Sequence, residues 1–355
     1  MRKAIALAER GRGRTSPNPM VGALVVDDDG VIVGRGRHDA AGGPHAEVHA
    51  LADAGPRARE ATLYCTLEPC CHVGRTGPCA PLVAGAGIRR VVVALEDPNP
   101  LVNGGGFAYL RERGIETVVG VCREPAARQN EAFLTVMRRG RPLVILKVAL
   151  SVDGCVSAAP GVRTALTGPA ANRVIHRQRA EVDAIAIGAG TVVADDPSLT
   201  ARGAYRARPL TRIVFDRSLR TPASARLFST LDAGPVIVVT TDRARADAPD
   251  RAAALSASGA RIMALATDDL ALAFGRVKDL GVTSVVLEGG VALHRAALAA
   301  GVVDVVHAYI TPRALRPSGQ QWLPGGGFSL AALRDRRATW FGDDVLVEGH
   351  VHGAD

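Results

Sequence analysis

A chain of 355 residues has room for two domains, each with its own hydrophobic core. It contains 47% hydrophobic and 22% charged residues, as globular enzymes do, and no apolar run reaches the roughly 18 residues of a membrane helix. The net charge of +8 does not indicate a nucleic-acid partner, because the arginines are spread along the whole chain and aromatic residues make up only 4%. A small phosphorylated ligand accounts for part of the charge equally well.

The six cysteines indicate a reducing compartment rather than a disulfide framework, because some of them belong to a metal-type motif. The others, Cys65, Cys122 and Cys155, lie in apolar runs, so we interpret them as small core residues. Residues 1–8 are followed by charge and not by a cleavage site. We therefore expect a cytoplasmic protein without a signal peptide.

Apolar runs and turn residues predict alternating strands and helices in the first 140 residues. An amphipathic helix over 4–11 precedes a strand at 23–26, and Asp28-Asp29-Gly30 predicts a hairpin to a second strand. Helix 45–54, strand 61–66, helix 79–86, strand 90–94 and a further helix–strand pair to 121 follow. This alternation is typical of an α/β fold with a largely parallel sheet covered on both faces.

The most informative stretch runs from residue 44 to residue 79. Here His45, Cys70 and Cys79 offer one imidazole and two thiols, which suit tetrahedral zinc with one open position, as in catalytic sites. His-x-Glu followed by Pro-Cys and a later Cys is the signature of zinc-dependent nucleobase deaminases, in which the glutamate moves protons without binding metal. We therefore predict a Zn²⁺ site with Glu47 as the general acid/base.

Two further features surround this motif. Pro69 predicts the first turn of a helix, which would place Cys70 at the positive end of a helix dipole. A structural zinc knuckle with Cys71 or His72 as fourth ligand is the alternative, although adjacent cysteines rarely serve one metal without strain. Several polar residues on nearby loops are candidate substrate ligands, although each alone is typical of a surface residue: Asn18, His38, His72, Arg75 and Asp97.

A basic Gly/Pro stretch at 138–142 predicts a linker between domains 1–140 and 142–355. The apolar strand that follows, 143–150, contains Lys147, which is either functional or a strand-end lysine that extends to solvent. The next predicted elements are a helix from Thr167-Gly168-Pro169 to about 180 and strands at 184–188, 212–215, 236–239 and 261–265.

A strand over 284–288 leads through Gly289-Gly290 into a helix that ends at Gly301. Two glycines at a helix start leave bare backbone N–H groups for a phosphate, although this signal alone is weak. No Gly-x-Gly-x-x-Gly follows a strand, so a Rossmann site is not expected. The last predicted strands are 302–310 and 344–351.

Together these motifs resemble the bifunctional deaminase/reductase family of riboflavin biosynthesis. Eight residues separate Cys70 from Cys79, whereas nucleic-acid and cytidine deaminases typically have two. The resemblance covers essentially the whole chain, through the stretches 17–19, 42–50, 66–79, 97–100, 147–154, 190–202 and 288–290.

The resemblance implies an N-terminal cytidine-deaminase-like α/β/α sandwich and a C-terminal dihydrofolate-reductase-like α/β domain. The first would hydrolyse the 2-amino group of 2,5-diamino-6-ribosylamino-4(3H)-pyrimidinone 5′-phosphate. The second would reduce the opened ribose of that product to ribityl with NADPH. We therefore expect a small phosphorylated pyrimidine as substrate, a homo-oligomer, and neither nucleic acid nor membrane as a partner.

The resemblance also implies the positions of the reductase site. The substrate would contact Lys147, Arg163, Arg179, Leu199, Arg202 and Glu288, with arginines pairing with its phosphate. The cofactor would contact Ala149, Thr191, Asp195, Arg217, Gly289 and Gly290, and Arg217 would lie at the 2′-phosphate of NADPH.

Three departures from the family pattern concern the reductase half. Ala165 stands where an aromatic residue is usual, Arg163 replaces a serine near substrate, and 312–317 lacks the usual Pro-Lys and Gly-Gly. The deaminase motif departs only at Cys71 and Gly77. The alternatives are a paralogue with an active deaminase and a degenerate reductase, a nucleic-acid deaminase, and a non-enzymatic zinc- and nucleotide-binding protein.

Overall fold

The computed structural model describes residues 1–72, 77–325 and 328–352. The chain divides into two units, Met1–Gly140 and Arg141–Asp355. Both are α/β, as predicted. Within the described residues, no helix combines the length and apolar character that a membrane span requires.

The first unit alternates short strands and helices. Its elements are α1 (Arg2–Ala8), β1 (Gly22–Val26), β2 (Ile32–Arg37), α2 (Ala46–Ala54), β3 (Thr62–Leu67), α3 (Cys79–Gly85), β4 (Arg90–Leu95), α4 (Gly105–Arg111), β5 (Glu116–Val119), α5 (Arg123–Gln129) and α6 (Glu131–Arg139).

The five strands of this unit form one sheet in the order β2-β1-β3-β4-β5. The β1–β2 pairing is antiparallel, which confirms the predicted hairpin, and β1–β3 is antiparallel as well. Only β3–β4 and β4–β5 are parallel. The expectation of a largely parallel sheet is therefore wrong for this unit, because β1 runs against both of its neighbours.

The predicted helix at Pro69 is also wrong. Residues 69–72 form no helix, and α3 begins only at Cys79. The Cys70 carbonyl accepts a hydrogen bond from the N–H of Ala80, ten residues further along the chain, and not from a residue of the predicted helix. This bond ties the loop to the start of α3, and the backbone N–H of Cys79, the first residue of that helix, donates to Sγ of Cys70 at 3.4 Å. Cys70 therefore lies in irregular backbone, with its sulfur at the N-terminus of α3 and not of a helix that begins at Pro69.

The second unit contains the elements β6 (Leu143–Ser151), β7 (Cys155–Ser157), α7 (Pro169–Glu181), β8 (Ala184–Gly188), α8 (Ala189–Asp195), β9 (Thr211–Phe215), β10 (Val236–Thr241), α9 (Asp242–Asp247), α10 (Pro249–Ala257), β11 (Ala260–Leu265), α11 (Leu270–Lys278), β12 (Ser284–Gly289), α12 (Val291–Ala299), β13 (Val305–Thr311), β14 (Gln320–Gln321), β15 (Arg334–Phe341) and β16 (Asp344–His350).

Nine of these strands form a sheet in the order β11-β10-β9-β8-β12-β6-β13-β16-β15. The pairings from β11 to β13 are parallel, and β16 is antiparallel to both β13 and β15. The central strands consist mainly of buried Val, Leu, Ile and Ala residues. Such strands form continuous apolar runs, so they could be predicted from the sequence. The edge strand β15 is exposed at nearly every position, so it carries no apolar pattern and was not predicted.

Candidate active sites

In the first unit, the first turn of helix α2 packs very closely against strand β2. A Cβ on Gly36 would lie 2.0 Å from the Ala46 carbonyl oxygen, so only glycine permits this approach. His45 is the extended residue before α2, and Glu47 is the second residue of the helix. Local packing thus directs a potential ligand and a potential proton carrier towards one point.

Three soft donor atoms meet at that point. The Nδ1 atom of His45 lies 3.5 Å from Sγ of Cys70 and 3.3 Å from Sγ of Cys79. Zinc bonds of about 2.3 Å to sulfur and 2.0 Å to nitrogen at a tetrahedral angle would set these atoms about 3.6 Å apart. The donor set and its spacing therefore fit zinc, and three protein ligands leave one position for another ligand. Among the described residues this is the only group of metal-type side chains clustered in this way.

The protonation of this cluster is strongly perturbed. Hydrogen bonds from Cys79 and His45 lower the pKa of Cys70 to about 4, whereas the pKa of Cys79, the donor in the thiol pair, is raised. Glu47 is 3% exposed, and its burial raises its pKa to about 7. A carboxyl group of this kind can both accept and deliver a proton near neutral pH.

A cavity of about 410 Å³ opens over these residues. Of the candidate ligands expected from the sequence, Asn18, His38, His72 and Asp97 line it together with His45, Glu47 and Cys70. Arg75 lies outside the described residues. The buried Nδ1 atom of His72 makes no hydrogen bond to the described part of the chain. This nitrogen is therefore available to a ligand.

The orientation of the Asn18 amide follows from the tautomer of His38. Nδ1 of His38 lies 3.1 Å from the Pro44 carbonyl oxygen and must carry a proton to donate to it. The ring is buried and its pKa is lowered by burial, so Nε2 is an acceptor, and the Asn18 Nδ2 group 3.1 Å away donates to it. Both ring nitrogens of His38 are thus used within the protein, and Oδ1 of Asn18 remains as an acceptor.

Asp97 also lines the cavity. Burial raises its pKa to about 6, an effect that the charge of Glu68 supports and a hydrogen bond from Asn99 opposes. Glu68 was not predicted as a site residue, and its buried carboxylate accepts hydrogen bonds from the backbone of the Asp97 loop. The sequence feature that could have indicated a role for Glu68 is its position as a charged residue directly after an apolar strand.

In the second unit, the predicted substrate residues include a buried charge cluster. Arg179 donates to both carboxylate oxygens of Glu288, at 2.7 and 2.6 Å, and to the Thr200 carbonyl at 3.1 Å. Burial would raise the pKa of Glu288, but the charge and hydrogen bonds of Arg179 and the charge of Lys147 lower it to about 2. Burial lowers the pKa of Lys147, against the attraction of Glu288.

Three further substrate residues were predicted, namely Leu199, Arg202 and Arg163. Leu199 is buried with a φ of +51°, and Arg202 donates its backbone N–H to Nδ1 of His176. Arg163 is exposed. Burial raises the pKa of Asp195, and the positive charge of Arg163 opposes this effect only in part. His176 was not predicted, because a single histidine on a polar helix gives no signal of its own.

A second cavity, of about 320 Å³, contains part of the predicted cofactor set. Arg217 and Gly290 line it, and Thr191 packs so closely on the glycine pair that a Cβ on Gly289 would lie 2.9 Å from its Oγ1. The other four predicted cofactor residues are not among the lining residues: Ala149, Thr191, Asp195 and Gly289. Arg217 is 78% exposed and pairs with Asp268 at 3.0 Å, a partner that the sequence did not reveal.

Comparison with known proteins covers both units. Residues 1–95 match the cytidine and deoxycytidylate deaminase zinc-binding region, and residues 142–347 match the RibD C-terminal domain. The riboflavin biosynthesis protein RibD of Aquifex aeolicus (strain VF5) is 40% identical over 358 residues, which cover 98% of this chain and 96% of the relative.

Solved structures agree with these matches. Acinetobacter baumannii RibD, form 1, is 36% identical with a TM-score of 0.86, over 98% of this chain and 97% of that one. A diaminohydroxyphosphoribosylaminopyrimidine deaminase/5-amino-6-(5-phosphoribosylamino)uracil reductase from Thermotoga maritima is 32% identical with a TM-score of 0.83, over 99% and 97% of the two chains.

Proposed function

The chain belongs to the RibD family of riboflavin biosynthesis proteins, and from this premise we propose how its two units divide the work. Residues 1–140 deaminate 2,5-diamino-6-ribosylamino-4(3H)-pyrimidinone 5′-phosphate. Residues 142–355 then reduce the ribosyl group of the product to ribityl with NADPH. The substrate is thus a small phosphorylated pyrimidine in both steps.

The observation that carries the deaminase proposal is the meeting of His45, Cys70 and Cys79 beside buried Glu47 at one cavity. In our proposal the first three residues hold zinc, which supplies the Lewis acidity that makes water a nucleophile at neutral pH. Glu47 takes a proton from the attacking water and delivers one to the departing nitrogen, so that an amine is replaced by oxygen and ammonia leaves.

The remaining cavity residues orient the pyrimidine. We assign Asn18 Oδ1 as an acceptor for a substrate N–H or O–H, His72 Nδ1 as a further polar contact, and the Asp97 carboxyl group as a third contact. His38 does not contact the substrate directly, because both of its ring nitrogens form hydrogen bonds within the protein. It orients the Asn18 amide through one of them.

The test is to replace Glu47 by glutamine in the full chain and to measure metal content and both reactions. Glu47→Gln should keep about one zinc per chain and lose roughly 10²–10⁴-fold in deaminase kcat, the usual contribution of a general acid/base. Reduction of separately supplied deaminated substrate should be unchanged, because Glu47 lies in the other unit. Deaminase turnover close to that of the unmodified chain would exclude the assigned role.

For the reductase, we place the substrate at the Lys147, Arg179 and Glu288 cluster and NADPH in the cavity lined by Arg217 and Gly290. NADPH supplies the reducing equivalent. Because Arg179 uses three of its five N–H groups on Glu288 and Thr200, we assign the substrate phosphate to Arg202 and to exposed Arg163.

One observation favours a second candidate, a chain with deaminase activity alone. Ala165 is exposed, and its carbonyl accepts a hydrogen bond of 2.7 Å from Arg313, so two of the family departures meet here. Oxidation of NADPH by the full chain with deaminated substrate separates the two. Turnover supports the bifunctional enzyme, and deamination without it supports the second candidate.

A further inference from the structure

Glu68 is a buried carboxylate with an unusual set of partners. It follows β3 directly, precedes Pro69 and Cys70, and is 3% exposed. Within the described ranges it forms no salt bridge, and its two oxygens instead accept four backbone N–H groups. A buried carboxylate needs such compensation, and hydrogen bonds to a charged acceptor are about twice as strong as neutral ones.

The four donors flank one loop: Asp97 lies at its start and Gly104 at its end, and Gly106 and Phe107 belong to the first turn of α4. Oε2 accepts from Asp97 at 3.2 Å and from Gly104 at 3.1 Å. Oε1 accepts from Gly106 at 2.9 Å and from Phe107 at 3.3 Å. Because 97–104 connects the end of β4 to the start of α4, a single side chain closes this loop at both ends.

The same loop forms one wall of the deaminase cavity. Asp97, Asn99 and Val102 line that cavity, and Val102 also packs with Cys70 and Cys79. Inside the loop, Val102 donates to the Asn99 carbonyl at 2.8 Å, and Asn99 donates to Oδ1 of Asp97 at 2.9 Å. These short-range bonds shape the loop, but the bonds to Glu68 attach it to the strand that leads to Cys70.

The chemistry of this position requires glutamate. Glutamine has the same shape but only one acceptor atom, so its NH₂ group would face two backbone N–H donors. Aspartate keeps the charge but is one methylene shorter, so it cannot span the same set of donors. The start of α4 approaches the Glu68 segment very closely, since a Cβ on Gly106 would lie 2.0 Å from the Pro69 carbonyl oxygen.

We propose that Glu68 is a positioning residue of the deaminase that holds the 97–104 loop so that Asp97 and Asn99 face the substrate. It acts through the loop and leaves zinc binding to His45, Cys70 and Cys79. This inference rests on the proposed deaminase function.

The test uses the full chain with Glu68→Gln and Glu68→Asp, the latter as the conservative variant should glutamine impair folding. Deaminase KM should rise about tenfold or more, because a displaced loop would weaken the contact of Asp97 with the substrate. The loss of one charge-assisted hydrogen bond to a ligand corresponds to roughly ten- to a hundredfold in affinity. Deaminase kcat should stay within about threefold, and zinc should remain at about one per chain. Reduction of supplied deaminated substrate should be unchanged in both variants.

Glu96→Gln is the matched control, because this neighbouring carboxylate is exposed and none of the hydrogen bonds above involve it. It should leave KM unchanged. A double-mutant cycle with Asp97→Asn then separates positioning from general stability. If Glu68 acts through the loop, the double variant should raise KM little more than the more severe single variant.

Three results would overturn the inference: an unchanged KM in both Glu68 variants, loss of zinc, or fold-changes in KM that multiply fully in the cycle. Absence of deamination by the unmodified chain with zinc bound would instead overturn the proposed function, and the inference with it. The zinc content of the same preparations shows that the first unit is folded, and the reductase measurement shows the same for the second unit.

Discussion

Replacing Glu288 by glutamine would test the buried charge cluster of the second unit. Arg179 and Glu288 are joined by two hydrogen bonds of 2.7 and 2.6 Å, and their side chains are only 15% and 7% exposed. Lys147 adds a second positive charge close to the same carboxylate. Glu288→Gln therefore leaves two cations in a poorly solvated place without their anion.

Breaking a buried ion pair from one side costs about 3–5 kcal/mol, because the remaining charge stays desolvated. In a unit of this size, 1 kcal/mol corresponds to roughly 2–4 °C in Tm, so we expect the transition of the second unit to fall by about 6–20 °C. Adding Arg179→Met should restore part of the loss, since it removes one of the unpaired cations.

The assay is thermal unfolding of the full chain at pH 7. Asp268→Asn is the matched control, because its pair with Arg217 is 58% and 78% exposed and surface pairs contribute about 0–1 kcal/mol. If Glu288→Gln were no more destabilising than Asp268→Asn, the cluster would be effectively solvated and the reasoning wrong. Reductase turnover should remain lost in the Arg179→Met/Glu288→Gln variant even where stability recovers, because the predicted substrate contacts are gone.

The pH dependence has a definite sign. The pKa of Glu288 is lowered from 4.5 to about 2 in the folded chain, where Arg179 and Lys147 overcome the effect of burial. The stabilisation is therefore fully present above about pH 4.5 and is lost as the pH falls towards 2. The difference in stability between the unmodified chain and Glu288→Gln should shrink over that interval, and a constant difference would contradict the assignment.

Two further predictions concern the metal and the dinucleotide. Cys71→Ser should keep about one zinc per chain, whereas Cys70→Ser should lose it; the opposite result, measured by metal analysis, would contradict the ligand set. NADPH should bind the full chain at least about tenfold more tightly than NADH, and Arg217→Ala should remove most of that difference, because a charge-assisted pair to the 2′-phosphate contributes about 1.5–3 kcal/mol. Equal affinities in calorimetric titrations would exclude this role for Arg217, whose present partner is Asp268.

The sequence was most informative where function depends on residue type. His45, Cys70 and Cys79 have few roles in common other than binding metal, and their spacing limits the choice of chemistry. Buried strands were equally recognisable, because parallel strands covered on both faces are continuous apolar runs. Both signals are local in the chain and do not require knowledge of the fold.

Other features depend on pairings that sequence does not display. Arg217 was assigned from its position after a strand, yet its contact with Asp268 joins residues 51 positions apart. The edge strand β15 is defined by hydrogen bonds to β16, because its exposed side chains lack any apolar period. In these cases the partner, and not the residue itself, determines the structure.

Glu68 lies inside a motif that the sequence reveals, but its role depends on partners that the sequence does not reveal. It shows which kind of residue near an active site is not predicted from the sequence. Its partners are backbone N–H groups 29 to 39 residues further along the chain, and every residue type except proline offers such a group. No pattern of side chains could therefore have identified them, although the glutamate stands two residues from a predicted zinc ligand. Side chains that bind ligands are chosen for their chemistry and can be recognised one by one. Side chains that hold loops are chosen for the donors they satisfy, so they become visible only when the fold brings those donors to them.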